Sequence, residues 1–245
     1  MRFIEGFLTI FSGIRLLTTK GIRRFALVPI LINIVIFSTA IYVASKQFDQ
    51  LMERLLSSIS WLPGWLASGI EWVLWPLFAI MILIAIYYSF TLLANLIAAP
   101  FNALLAQKIE QHLRDDAKFE EEGAILPLVA RTVGSEVKKY AHMFKWLIAL
   151  LILTVIPGLN IIAPFAWVIY GAWMLAIEYA DYTMGNHGMF FKEELRVLRK
   201  NRMAALGLGS GSMLMTMIPV VNLIAMPASV AAGTVLWVKR LSNNQ

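Results

Sequence analysis

The sequence predicts an all-α integral membrane protein. It has two long transmembrane helices, two re-entrant (hemi-penetrating) helical hairpins and amphipathic interfacial helices. Three observations lead there. First, the chain is 59% hydrophobic with a mean hydropathy of +0.71, and its apolar residues collect in uncharged runs at 25–45, 72–106, 146–177 and 203–238. A single crossing needs roughly 20 residues, so the last three runs are too long for one span and short for two. Second, Ile156-Pro157-Gly158-Leu159-Asn160-Ile161-Ile162-Ala163-Pro164 nearly recurs as Ile218-Pro219-Val220-Val221-Asn222-Leu223-Ile224-Ala225-Met226-Pro227, each copy in the middle of an apolar run. A proline-bracketed Asn cannot sit in an unbroken helix, and lipid tolerates broken backbone only where protein or water surrounds it. Paired broken helices of this kind are typical of transporters and channels. Third, the net charge of +6 is unevenly spread: all but Lys46 and Arg54 of the 21 Lys and Arg lie in 1–24, 107–145, 178–202 and 239–245. Two spans and two hairpins put those segments on one side, which the positive-inside rule makes cytoplasmic. A six-span model keeps them together too, so the short half-lengths decide for hairpins.

The elements follow in order within one membrane domain, 1–245. Residues 1–20 contain an amphipathic helix lying on the surface, with Phe3, Phe7, Phe11, Ile14 and Leu17 at helical spacing. Thr18-Thr19-Lys20-Gly21 interrupts it, and the first long membrane helix covers 22–45, with Pro29 in its first turns. The connector 46–71 leads into a cluster of Trp61, Trp65, Trp72 and Trp75, as in an interfacial aromatic belt. The second long helix covers 72–106. A cytoplasmic helical segment, 107–145, carries the stripe Val129, Val133, Val137, Tyr140 and Phe144 and feeds the hairpin at 146–177, split at Pro157–Pro164. The second hairpin, 203–238, is expected to split at Pro219–Pro227.

The same residues exclude several function classes. There is no cysteine, hence no disulfide, thiolate metal site or cysteine nucleophile. The start of the chain does not read as a cleavable signal, because Glu5 and Arg15 interrupt the expected pattern. His112, His142 and His187 lack metal spacing and read as interfacial or capping residues. No HExxH, GxSxG or phosphate-loop pattern occurs, so neither an enzyme nor a cofactor is expected. Nucleic acid is not an expected partner, since the basic balance follows from the cytoplasmic-face bias.

The candidate site residues are polar groups at helix ends and breaks. Gly21-Ile22-Arg23-Arg24 opens the first long helix, where free amides and the helix dipole favour an anion. Two guanidinium forks suit an oxyanion; the alternative is a pair of arginines anchoring the helix among lipid headgroups. Asn160 and Asn222 tip the hairpins, to line a water path or to cap the half-helices. Asn33, Ser89, Thr91, Asn95 and Asn102 stand in or near the long helices, as interhelical glue or pore lining. Glu178 and Asp181 form ion pairs with Arg196 or Arg199, or gate an opening. Gly207-x-x-x-Gly211 permits close helix packing.

Several motifs resemble the CysZ-type sulfate transporters of bacterial inner membranes. They are Gly21-Ile22-Arg23-Arg24-Phe25, Asn95-x-Ile97-Ala98-Ala99-Pro100-Phe101-Asn102, Ile156-Pro157-Gly158, Ala172-Trp173-Met174-Leu175-Ala176-Ile177-x-Tyr179-x-Asp181-Tyr182, Asn186-His187, Phe191-Lys192-Glu193 and Met217-Ile218-Pro219. The resemblance covers nearly the whole chain. It implies sulfate uptake into the cytoplasm for cysteine synthesis, two long membrane helices with two hemi-penetrating hairpins, a homo-oligomer, and a sulfate site on Gly21, Ile22, Arg23 and Arg24. It also implies transport without ATP or a nucleotide-binding partner. Asn160 stands where relatives can carry another small or polar residue. The rival readings are a transporter of another oxyanion, such as sulfite or thiosulfate, and a non-transporting membrane scaffold.

Overall fold

A computed structural model describes residues 2–58, 63–117, 119 and 125–242, and every element among them is helical. The α-helices are α1 (Arg2–Leu17), α2 (Arg23–Ser58), α3 (Gly64–Leu113), α4 (Ile125–Val155), α5 (Ala163–Gly185), α6 (Phe191–Lys200), α7 (Arg202–Met217) and α8 (Pro219–Leu236). A 3-10 turn at Leu159–Ile161 precedes α5, and a π-helical stretch at Trp237–Leu241 follows α8. Where the sequence reads as one domain, packing forms two compact units: 1–26 with 101–245, and 27–100.

The 27–100 unit holds most of α2 and the first part of α3. Both helices run further than the apolar runs that announce them. Phe48, in the expected connector, is instead a buried helical residue whose ring lies 4.7 Å from Trp75 and 4.8 Å from Phe78. Leu31, Val35, Trp72, Val73, Leu77 and Ile80 face outward. Among the described residues no helix is long and apolar enough to cross a membrane. The side chains at 85–98 in α3 fall outside that description, as does Trp61.

The larger unit is built on close approach. Its core is rich in alanine, with Ala176, Ala180, Ala204, Ala205, Ala228 and Ala232 almost fully enclosed, while Val155, Ile161 and Phe165 are exposed. Small residues inside and large apolar ones outside are the arrangement that lets helix backbones touch when no water drives them together. At Gly207 an added Cβ would stand 2.0 Å from the carbonyl oxygen of Phe3, and at Gly209 1.7 Å from that of Ala172. No other residue permits either crossing. The GxxxG spacing therefore seats α1 on α7.

This corrects the reading of α1 as a helix merely lying on the surface. Its Gly6, Thr9, Ile10 and Gly13 face is buried against α7 and α8, and Phe3, Leu8 and Phe11 stay exposed. Of the Phe-and-Ile periodicity only Phe3 and Phe11 face outward, while Ile14 and Leu17 pack against the core beside Ile10 and the small Gly6, Thr9 and Gly13.

The two breaks differ. The first opens between Val155 and Ala163, where Gly158 adopts φ +86°, a left-handed conformation that suits glycine. The second is confined to Ile218, an extended residue with ψ 111°. Pro219 then opens α8, which runs on through Pro227 to Leu236. The expected split over Pro219–Pro227 thus shrinks to its first step. A proline at the first helical position costs no hydrogen bond, which is why Pro219 starts the helix.

Candidate functional site

The anion-site candidates form a turn with one buried anchor. Gly21, in the turn between α1 and α2, has φ +88°. The amides of Ile22 and Arg23 both donate to the Thr19 carbonyl, at 3.1 Å each. The amides of Gly21 and Arg24 donate to no other main-chain group among the described residues. Ile22 is 4% exposed and packs with Leu105, Ala106, Ile109, Tyr179, Val230 and Ala231. Gly21, Arg23 and Arg24 are exposed, and the Arg24 guanidinium rests 4.9 Å from the centre of the Phe25 ring. One apolar side chain thus fixes the turn while two guanidinium groups point away from the core. Neither arginine has an acidic partner among the described residues.

Glu178 and Asp181 do pair, but with neither Arg196 nor Arg199. Their partner is Lys139 of α4, which is 4% exposed. Its Nζ lies 2.5 Å from Asp181 Oδ2, 3.7 Å from Glu178 Oε2 and 3.0 Å from Glu136 Oε1. Helical spacing explains the geometry: Glu178 and Asp181 sit three apart on α5, so both carboxylates meet one ammonium. The Arg196 and Arg199 side chains belong to the exposed face of α6. Glu194, on its buried face, joins the cluster and hydrogen-bonds Asp181. Burial, together with the Asp181 charge and that bond, pushes its carboxyl up to about 10, so it is protonated at neutral pH. Burial alone would lower the Lys139 ammonium, but Asp181 and Glu178 outweigh it and hold the group above the ordinary lysine range.

Asn102 is buried, next to the Tyr182 hydroxyl, and its Nδ2 has no hydrogen-bond partner among the described residues. Asn160 and Asn222 are both exposed. Asn160 lies in the 3-10 turn and is a hairpin tip. Asn222 is instead in the first turn of α8, its amide bonded to the Ile218 carbonyl at 2.8 Å. The side chains of Asn33, Asn95, Ser89 and Thr91 lie outside the described residues. Among the described residues the candidates form an arginine turn, a charged cluster and a hairpin tip.

A further buried network had no forecast in the sequence. Glu110 is fully enclosed; Arg114 and Trp237 Nε1 donate to its Oε1, the latter at 3.1 Å, and His187 Nε2 lies 2.9 Å from its Oε2. His187 also stacks on Trp237 at 5.0 Å. It is a network residue, not an interfacial or capping one. Asn186 Nδ2 donates to the Ala103 carbonyl at 2.8 Å, so the Asn186-His187 pair ties the α5 end to α3 twice. Among the described residues no group of His, Asp and Glu could hold a metal ion.

Helices paired across a break, with an exposed arginine turn, are features seen in transport proteins. Comparison with known proteins specifies the family. The chain belongs to the family described as Sulfate transporter CysZ/Etoposide-induced protein 2.4, whose profile matches residues 9–227. A protein named Sulfate transporter CysZ from Pseudomonas aeruginosa PAO1 is 38% identical over 230 residues, covering 93% of this chain and 92% of the relative. Proteins of the same name from Pseudomonas fluorescens Pf0-1 and Vibrio cholerae N16961 are each 40% identical over 92–93% of this chain and 90% of their own length.

Proposed function

We propose that this chain is a sulfate transporter of the bacterial inner membrane, carrying sulfate into the cytoplasm for cysteine synthesis. The observation that carries the reading is its likeness, over more than nine-tenths of its length, to proteins named sulfate transporters. Arg23 and Arg24 capture the dianion together with the Gly21 and Arg24 amides, the two donors of the turn not already given to Thr19. Ile22 serves as the buried peg of this site, not as a contact. Among the described residues the two exposed guanidinium groups have no acidic partner, which leaves both forks open to an oxyanion.

In this reading α2 and α3 are the long membrane helices, and α4–α5 and α7–α8 are the two hairpins entering from the cytoplasmic face. The exposed Val155, Ile161, Ile162 and Phe165 around the first tip support contact with lipid or with another copy in a homo-oligomer. Asn102, Asn160 and Asn222 remain the pore candidates whose geometry is described, while Glu178 and Asp181 hold the cytoplasmic ends of α4 and α5 together through Lys139. The test is uptake of labelled sulfate into liposomes containing only this protein. Flux that saturates, is inhibited by sulfite and is indifferent to equal chloride supports the reading. Flux no greater than in empty liposomes overturns it, and inhibition by equal chloride reduces the site to a general positive patch.

A further inference from the structure

Between α4, α5 and the start of α7 runs a groove of about 620 Å³, within the range of small-molecule sites. Trp146, Leu150, Ala166, Ile169, Trp173 and Leu206 form its apolar walls. The Tyr170 hydroxyl, which donates to the Met143 carbonyl at 2.9 Å, fixes one wall and has its proton engaged. The polar groups are confined to His142, Arg199 and Arg202 at one end. Neither arginine has an ion-pair partner among the described residues.

The charged end continues onto α6. Lys192, Arg196, Arg199 and Lys200 occupy one exposed face at helical spacing, and they line a second, shallow depression that shares Arg199 with the groove. The acids of α6 are elsewhere: Glu193 accepts from the Phe190 amide at 3.1 Å, and Glu194 is buried in the Lys139 cluster. Among the described residues the charged groups that line the groove, Arg199 and Arg202, are both positive, with Lys145 adding to the field at His142. A bare apolar peptide would leave Arg199 and Arg202 unmatched, and a free inorganic anion would leave the apolar walls empty.

We infer that this groove is a binding site for one anionic phospholipid, with acyl chain along Trp146, Leu150, Ala166 and Ile169 and phosphate between Arg199 and Arg202. The length of the apolar wall and its single cationic end match a molecule that is greasy over most of its length and acidic at one tip. The site lies apart from Arg23 and Arg24 in the chain and needs no sulfate, so its occupancy and sulfate flux are separable.

Native mass spectrometry and thermal unfolding of the purified, delipidated protein in detergent, titrated with phosphatidylglycerol or phosphatidylcholine, test this. Phosphatidylglycerol should be retained and raise the melting temperature, and phosphatidylcholine should do neither at the same concentration. Arg199→Gln with Arg202→Gln should weaken phosphatidylglycerol retention by about thirtyfold, from two basic residues lost at a lipid surface. Ala166→Phe keeps every charge but fills the apolar part, and should also abolish retention. Equal retention of both lipids, undiminished retention in the double variant or in Ala166→Phe, or equal stabilisation by inorganic phosphate each overturns the proposal, the last by showing an anion patch without a lipid site. A groove occupied by a second copy would appear as a dimer lost in Ala166→Phe with no lipid retained, which also overturns it.

Discussion

Lys139 Nζ stands 2.5 Å from Asp181 Oδ2, although 42 positions separate the two residues. The pair joins α4 to α5, and among the described residues the ammonium is the only cation paired with the carboxylates of Glu136, Glu178 and Asp181. Replacing it with Met should cost about 1–3 kcal/mol, because three partly exposed carboxylates lose their shared cation and water screens part of the loss. Thermal unfolding of Lys139→Met in detergent reads this; a melting temperature equal to the wild type would mean the carboxylates find other partners.

Glu194 gives the cluster a pH dependence of definite sign. Its folded value, about 10, is above the usual carboxylate value of 4.5, so the folded state holds a proton that the unfolded chain releases. The contribution is fully present below pH 4.5 and falls as pH rises from there toward 10. Glu194→Gln keeps a donor for Asp181 and carries no titrating proton. The variant should therefore match the wild type at pH 5, exceed it in stability at pH 9, and show a flatter curve between. A parallel decline in both proteins would place the pH dependence elsewhere.

Arg23 and Arg24 separate anion binding from anchoring. Alanine at both removes two charge-assisted contacts, each worth roughly 1.5–3 kcal/mol, so sulfate binding should weaken at least about a hundredfold. Lysine at both keeps the charge and loses the planar fork. The double-lysine protein should insert normally and bind sulfate poorly in equilibrium binding; wild-type affinity would leave only the backbone amides as the site.

Gly209 tests the close approach of α5 and α7. Gly209→Ala forces a methyl group against the Ala172 carbonyl and should destabilise by about 1–3 kcal/mol or more. Gly185→Ala, where an added Cβ meets nothing within 4 Å, is the control and should be neutral or mildly stabilising. Equal melting temperatures for the two variants would show that α5 and α7 can separate without loss.

The absence of native cysteine allows single-site labelling of the breaks. Cysteine at Asn160 should be protected from a bulky impermeant reagent applied at the periplasmic face, and so should cysteine at Asn222. Ready labelling of both from that face would favour full spans over re-entrant hairpins.

The helical class and the positions of both breaks were legible because proline, glycine and apolar run length act locally. The extent of the second break was not. Pro219 and Pro227 look alike in sequence, yet the first opens α8 and the second is carried inside it by packing around Ala225 and Ala228. The partner of Glu178 and Asp181 was also hidden, since Lys139 belongs to a segment whose mixed charges resemble any solvated helix. Glu110 gave no signal for the same reason: only the fold brings Trp237 and His187 to it. The arginine turn was legible as chemistry, and the role of Ile22 as its buried peg needed α3, α5 and α8 in place.

The seating of α1 has a consequence for how the protein is made. Helix α1 buries Gly6 and Gly13 against Ala204 and Ala228, and its Glu5 pairs with Arg240, 235 positions later. Until α7 and α8 are made, α1 has no binding surface to occupy. Its exposed Phe3, Leu8 and Phe11 stripe can hold it at the bilayer meanwhile, as a parked element. Closure of α1 thus waits for α7 and α8, and a chain cut short before α7 would leave α1 without a berth.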